Sequence, residues 1–107
     1  MTFQVMLIED AEQDIMDTYA YIAKNDSRQS ADYVLAELEK ACLSLAELPG
    51  RGHVPPELLR ISVATFLEIH FKPYRVIYEV EGRMVYIHCV LDGRRDLQEL
   101  LERRLLR

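Results

Sequence analysis

The chain has 107 residues, half of them hydrophobic and 29% charged, with a formal net charge of -5. That length leaves room for one domain rather than two independent cores, the composition is globular rather than disordered, and no apolar run approaches the ~18 residues that span a bilayer. The net acidity argues against broad nucleic-acid binding, which needs a basic field.

The charge is unevenly placed. Residues 1–50 carry three basic and ten acidic side chains, residues 51–107 ten basic and eight acidic, and every arginine except Arg28 lies in the second half. An acidic half joined to an arginine-bearing half points to two surfaces with different partners, although a solvated acidic helix face is the simpler account of the first half. The opening Met1-Thr2-Phe3-Gln4-Val5 lacks the basic residues and small-residue cleavage site of a signal peptide, so a cytoplasmic location is expected.

Phe3 to Ile8 is short and mostly apolar and predicts a first strand. Asp10 is a suitable N-cap, with Gln13 completing a capping box, and a helix is expected from there to about Lys24. Ala11, Ile15, Tyr19, Ile22 and Ala23 form its core face. Met16 and Ala20 widen the apolar arc: either the helix packs on both a sheet and a second helix, or the edge of Met16, Ala20 and Ala23 is a groove for a partner protein. Asn25-Asp26-Ser27 connects to a second helix running to about Leu48, with Ala31, Val34, Leu35, Leu38, Ala41, Cys42, Leu45 and Leu48 on one face and Pro49-Gly50 as its stop. So short a turn makes the pair an antiparallel αα-hairpin.

Arg51 to Pro56 is loop, and Glu57 to Thr65 fits either a short helix or an edge strand. Three strand segments follow, Phe66–Phe71, Tyr74–Val80 and Arg83–Leu91, separated by Lys72-Pro73 and Glu81-Gly82. Their Tyr, Val and Ile content and tight turns predict an antiparallel meander. Tyr74, Val76, Tyr78 and Val80 share one face of the middle strand, and Arg75, Ile77 and Glu79 the other. After Asp92-Gly93, residues 94–107 have helical spacing (Leu97, Leu100, Leu101, Leu105) and fit a helix or a partly ordered arm. Cys42 and Cys89 fall on apolar faces and are expected as small buried thiols rather than a disulfide. The histidines, His53, His70 and His88, lack the close spacing of a zinc motif, so neither a metal nor a cofactor is expected. The expected fold is α+β in the order β-α-α-β-β-β with a candidate C-terminal helix. The hairpin packs on one face of a small, mainly antiparallel sheet and leaves the opposite face partly bare.

These segments carry a resemblance. Ala11…Asp14-Ile15…Tyr19…Tyr21-Ile22-Ala23, then Leu45-Ala46-Glu47-Leu48-Pro49-Gly50, then Tyr74-Arg75-Val76-Ile77-Tyr78, then Val90-Leu91-Asp92-Gly93-Arg94-Arg95-Asp96-Leu97…Leu101…Arg104-Leu105, in that order and spacing, resemble the RelE/ParE toxin superfamily over nearly the whole chain. The resemblance implies a helical hairpin on a curved sheet and an antitoxin whose C-terminal segment wraps the toxin.

The superfamily divides by target. RelE-like members cut messenger RNA at the ribosome with basic residues that bind the phosphate; ParE-like members poison DNA gyrase. By alignment Arg75 and Arg95 match two arginines of the ribonuclease branch. Its two lysines fall at Phe66 and Glu68, its C-terminal aromatic falls at Leu101, and no histidine follows His88, which is itself expected to be structural. A glutamate where a phosphodiester would lie repels it by ~1 to 4 kcal/mol at 4 Å across effective dielectrics of 80 to 20. The RelE chemistry therefore lacks most of its groups, and no catalytic residue is assigned. The ending Arg94-Arg95-Asp96-Leu97…Leu101…Arg104-Leu105 resembles the ParE branch and plasmid-stabilisation toxins. That resemblance implies a non-enzymatic inhibitor of DNA gyrase that inhibits growth, without direct nucleic-acid or membrane contact, held in a hetero-oligomer with a ParD-like or similar antitoxin. A ribosome-dependent endoribonuclease and a non-toxic degenerate member are the alternatives. Arg75, Arg94, Arg95 and Arg104 are the candidate contacts to target or antitoxin; for Arg75 a structural pairing with Glu68 or Glu79 competes with that role.

Overall fold

The computed structural model describes residues 2–106, and its first element is strand β1 (Gln4–Leu7). Helix α1 (Glu9–Asn25) follows at once. Its N-cap is Ile8 and no side chain caps it, so the expected Asp10–Gln13 capping box does not form. The sheet is the cause: Ile8 N–H still donates to the Ile87 carbonyl (3.0 Å), and the helix starts on the next residue. Glu9, Asp10 and Glu12 lie in the first turn, where the helix dipole favours negative charge.

Ser27 caps helix α2 (Arg28–Ser44), its Oγ accepting the Ser30 N–H at 3.0 Å. The helix stops short of Leu48. The Ala46 carbonyl accepts the Phe3 N–H (2.8 Å), tying the chain to β1 and drawing it off the helical path. A 3-10 turn (Pro49–Arg51) and short helix α3 (Pro56–Leu59) lead to strands β2 (Phe66–Phe71), β3 (Tyr74–Glu81) and β4 (Met84–Asp92). The ambiguous segment is thus a short helix followed by turns. The second hairpin turn is Gly82-Arg83, one residue later than the expected Glu81-Gly82, because Gly82 supplies the positive φ (59°) that the tight turn requires. Helix α4 (Gln98–Leu105) settles the tail as helix.

The sheet order is β1-β4-β3-β2, with β1 parallel to β4 and the meander antiparallel, so it is mixed. On one face, Ala11, Leu38, Cys42 and Leu45 of the helical hairpin and the turn after it pack on Ile69, Val76, Tyr78, Val85 and Ile87. The expectation of a partly bare opposite face is overturned. Leu58 of α3, Leu97, and Leu101 of α4 are each 1% exposed or less and cover Phe66, Ile77, Cys89 and Leu91. Burying a leucine is worth about 1.5–3 kcal/mol, enough to hold two short helices on that face. A register shift between Ile77 and Tyr78 leaves His88 as the extra residue of β4. His88 Nε2 sits 3.2 Å from Glu79 and its ring meets Phe66 edge-on, a structural role. Cys42 and Cys89 are free and buried, and desolvation pushes their thiols up to about 11 and about 12.

Candidate functional site

Alternation along β3 places Arg75 on the face covered by α3 and α4, opposite His70 of β2 and next to Glu68. Its guanidinium is gripped from two sides. Nε and Nη2 donate to the two oxygens of Glu68 (2.7 and 3.0 Å), while Nη1 and Nη2 donate to the two oxygens of Glu57 (both 2.7 Å). The side chains of Arg75, Glu57 and Glu68 are 12%, 13% and 1% exposed. The Glu57 hydrogen bonds, followed by those of Glu68, raise the basicity of Arg75 against the opposing effect of burial. Gly93 packs on the arginine stem: a Cβ there would come within 2.7 Å of Arg75 Cδ and 3.0 Å of the Pro73 carbonyl. The guanidinium therefore has fixed partners and a fixed orientation, with two of its edges taken up by carboxylates.

Arg75 in turn holds the Glu57 carboxyl below the usual carboxylate range. A carboxylate depressed in the fold contributes stability that is present above its unfolded value of about 4.3 and is lost as pH falls through the lower folded value. Glu57→Gln is therefore expected to flatten the fall in Tm below about pH 4.3 relative to the parent chain, measured by thermal melts from pH 2 to 6. An unchanged acid limb would show that the pair contributes nothing.

Glu68 has further neighbours. Its backbone pairs with His53 in both directions (His53 N–H to Glu68 O, 3.1 Å; Glu68 N–H to His53 O, 2.7 Å), which sets the His53 loop beside β2. His70, two residues on, shares the Glu68 face. His53 Nε2 lies 3.2 Å from one oxygen of Glu68 and His70 Nε2 3.0 Å from the other. Sequence spacing hid this convergence, because it depends on a bridge between residues that are far apart in the chain.

The other arginines divide. Arg104 is clamped, with Nη1 and Nη2 donating to the carboxylate of Asp14 (3.1 and 2.9 Å) and Nη2 also to the His88 carbonyl (2.9 Å). Asp14 also accepts the Val90 N–H at 2.9 Å, so one carboxylate ties α1, β4 and α4 together. Arg94 is 71% exposed and pairs with Asp92 (2.6 Å), a surface ion pair of small net value. Arg95 is exposed, and no side-chain hydrogen bond or ion pair restrains it among the described residues. Arg94, Arg95 and Arg104 line one cleft of about 560 Å³ between α1, the end of β4 and α4, with Asp14, Asp17, Tyr21 and Leu100. Met16 and Ala20 are exposed and Ala23 is half-buried. Met16 also lines a shallow apolar cleft with Ile15, Tyr19 and Leu35.

Phosphodiester cleavage needs uncompensated donors for the phosphate and groups that move protons. Arg75 is compensated twice, and Glu68 lies behind it. Of the two partners anticipated for Arg75, Glu68 is the one that pairs. Glu79 is four residues along the same strand, ~13 Å away at 3.3 Å per residue, and it pairs with His88 instead. Glu57 has no sequence signal, because its position depends on α3 folding over the sheet.

A family model described as the ParE toxin of the type II toxin-antitoxin system, parDE, matches residues 5–97. Among solved structures, a chain of the chromosomal ParDE toxin-antitoxin system from P. aeruginosa is similar with a TM-score of 0.70 at 13% identity, over 83% of this chain and 94% of that one. A chain of the RelBE2 toxin-antitoxin complex from Mycobacterium tuberculosis is similar with a TM-score of 0.60 at 21% identity, over 85% and 91%. At these identities the likeness shows the fold. No curated protein sequence matches the chain.

Proposed function

The chain belongs to the ParE toxin family of type II toxin-antitoxin systems, and from that premise we propose that it inhibits DNA gyrase by protein–protein binding in the cytoplasm, acts as a single domain without catalysis, and is silenced by a cognate ParD-like antitoxin. The observation that carries this reading is Arg75 locked between Glu57 and Glu68. Of the two arginines that align with the ribonuclease branch, Arg75 is paired on two sides, and Arg95, though exposed, lacks the branch's two lysines, which fall at Phe66 and Glu68; this favours docking over cutting. Purified chain is expected to block supercoiling by gyrase, with relief on adding the antitoxin. Expression in cells is expected to arrest growth with filamentation. Undiminished supercoiling at a large molar excess of the chain would remove gyrase as the target.

The contact role falls to Arg94 and Arg95 rather than to the clamped Arg75 and Arg104. Exposed arginines at a cleft mouth suit bidentate recognition of carboxylates, and an acidic, amphipathic antitoxin tail that wraps the chain would pair with them on one side of α1 and lay apolar residues on Met16, Ala20 and Ala23 on the other. The double reversal Arg94→Glu/Arg95→Glu is expected to weaken antitoxin binding by about tenfold to a hundredfold, largely through a slower on-rate. Stability should stay within about 0.5 kcal/mol. Surface plasmon resonance and urea unfolding check both, and unchanged association kinetics would place the antitoxin elsewhere.

A further inference from the structure

The geometry points to a binding site for a zinc-class metal ion formed by His53, His70 and Glu68 where the His53 loop bridges to the β2 edge of the sheet. The donor atoms of these three residues lie within 4.8 Å of one another. His53 Nε2 lies 3.2 Å from one oxygen of Glu68 and His70 Nε2 3.0 Å from the other, each close to the ~3.3 Å between neighbouring ligands of a tetrahedral ion with bonds of about 2.0 Å, and an ion held by both imidazoles takes one of the two oxygens. A modest rotation of the two half-exposed imidazoles closes the third side. Two imidazoles and one carboxylate suit zinc, cobalt or nickel rather than magnesium or calcium, which take oxygen ligands.

Charge supports a cation here. Glu57 and Glu68 face one guanidinium, so with both imidazoles uncharged the cluster carries one uncompensated negative charge next to a carboxylate that is 1% exposed. Arg75 repels a metal, but Glu57 offsets it, and Arg75 orients the carboxylate as an outer partner of a metal ligand does. The histidine side chains are 59% and 41% exposed, which leaves an entry path and a solvent-facing position for a fourth ligand. Binding requires the Nε2 lone pairs, so each ring carries its proton on Nδ1, and the His–Glu contacts give way to bonds to the ion. The ion would join the loop that carries His53 to β2 and stiffen the edge beneath α3.

Cobalt(II) titrated into the untagged, chelator-stripped chain is expected to give visible absorption bands that saturate at one ion per chain and vanish on adding zinc. His53→Gln and His70→Gln should each weaken binding by at least about tenfold, the scale seen for loss of even an outer partner. His88→Gln, whose ring lies against Phe66 and Glu79 and outside the cluster, should bind as the parent does. Nitrogen-15 spectra of the parent chain keep the test independent of variant folding: zinc should shift the ring signals of His53 and His70 and leave those of His88 in place. Absence of bands together with unmoved ring signals overturns the site, as does binding that survives both histidine variants.

Discussion

Arg75→Ala is expected to lower folding stability by about 3–5 kcal/mol, the cost of removing one partner from a buried ion group. The loss arises from what remains. Glu68, 1% exposed, would lose two charge-assisted hydrogen bonds, and Glu57 would lose both of its own. Its neighbours His53 and His70 soften the loss at Glu68 without replacing the guanidinium. In a domain of this size each kcal/mol moves Tm by roughly 4–8 °C, so the shift is large in a simple melt. Replacing the group together, as Arg75→Met, Glu68→Leu and Glu57→Gln, should recover most of the stability because no charge is left stranded. An Arg75→Ala chain that melts with the parent would show that the cluster is not a structural unit. The prediction also governs how toxicity data are read: loss of growth arrest in Arg75→Ala reports a failing fold unless Tm is unchanged.

Arg104→Ala comes next in size, at about 3 kcal/mol, the low end of the same range, because Asp14 keeps the Val90 N–H and some solvent. Arg104 fastens α4 to α1 and to the His88 carbonyl, and α4 supplies Leu101 to the second apolar cluster, where Cys89 lies. Removing the clamp should let α4 open locally before the rest unfolds. The readout is specific: Cys89, held unreactive by burial in the parent, should become labelled under native conditions while Cys42 under the hairpin stays protected. Arg104→Lys should restore only part of the stability, since an ammonium cannot reproduce the two-pronged contact with Asp14 and reach the carbonyl as well. Equal protection of both thiols in Arg104→Ala would mean that α4 is held by its leucines alone.

Elements with strong periodicity were legible from the sequence. The αα-hairpin, the three-strand meander and its two faces follow from apolar spacing and from Pro and Gly at the turns, as does the order β-α-α-β-β-β with a candidate C-terminal helix. What escaped depends on contacts between distant segments. Ile8 rather than Asp10 begins α1 because the sheet still holds the chain there, and α2 ends early because Ala46 is tied to Phe3. The second face is covered because α3, too short to carry a periodic signal, sets Leu58 and Glu57 over it. The same helix makes the difference at Arg75: local sequence shows an arginine and a nearby glutamate on adjacent strands, but not the second carboxylate that completes the grip. Arg104 and Asp14, separated by 90 positions, gave no sign of pairing, although the tail arginine is held by that carboxylate and the His88 carbonyl. His53 and His70 meet for the same reason, through a backbone bridge at Glu68.

Because Arg75 is paired on two sides by Glu57 and Glu68, we propose that the toxin docks on its target rather than cutting messenger RNA. The most direct measurement is purified chain added to a reconstituted translation system, with messenger RNA mapped by primer extension at codon resolution. Full-length messages over the whole time course are the predicted result. Cleavage at defined positions within ribosome-bound codons, abolished by a folded Arg75 variant, would contradict it.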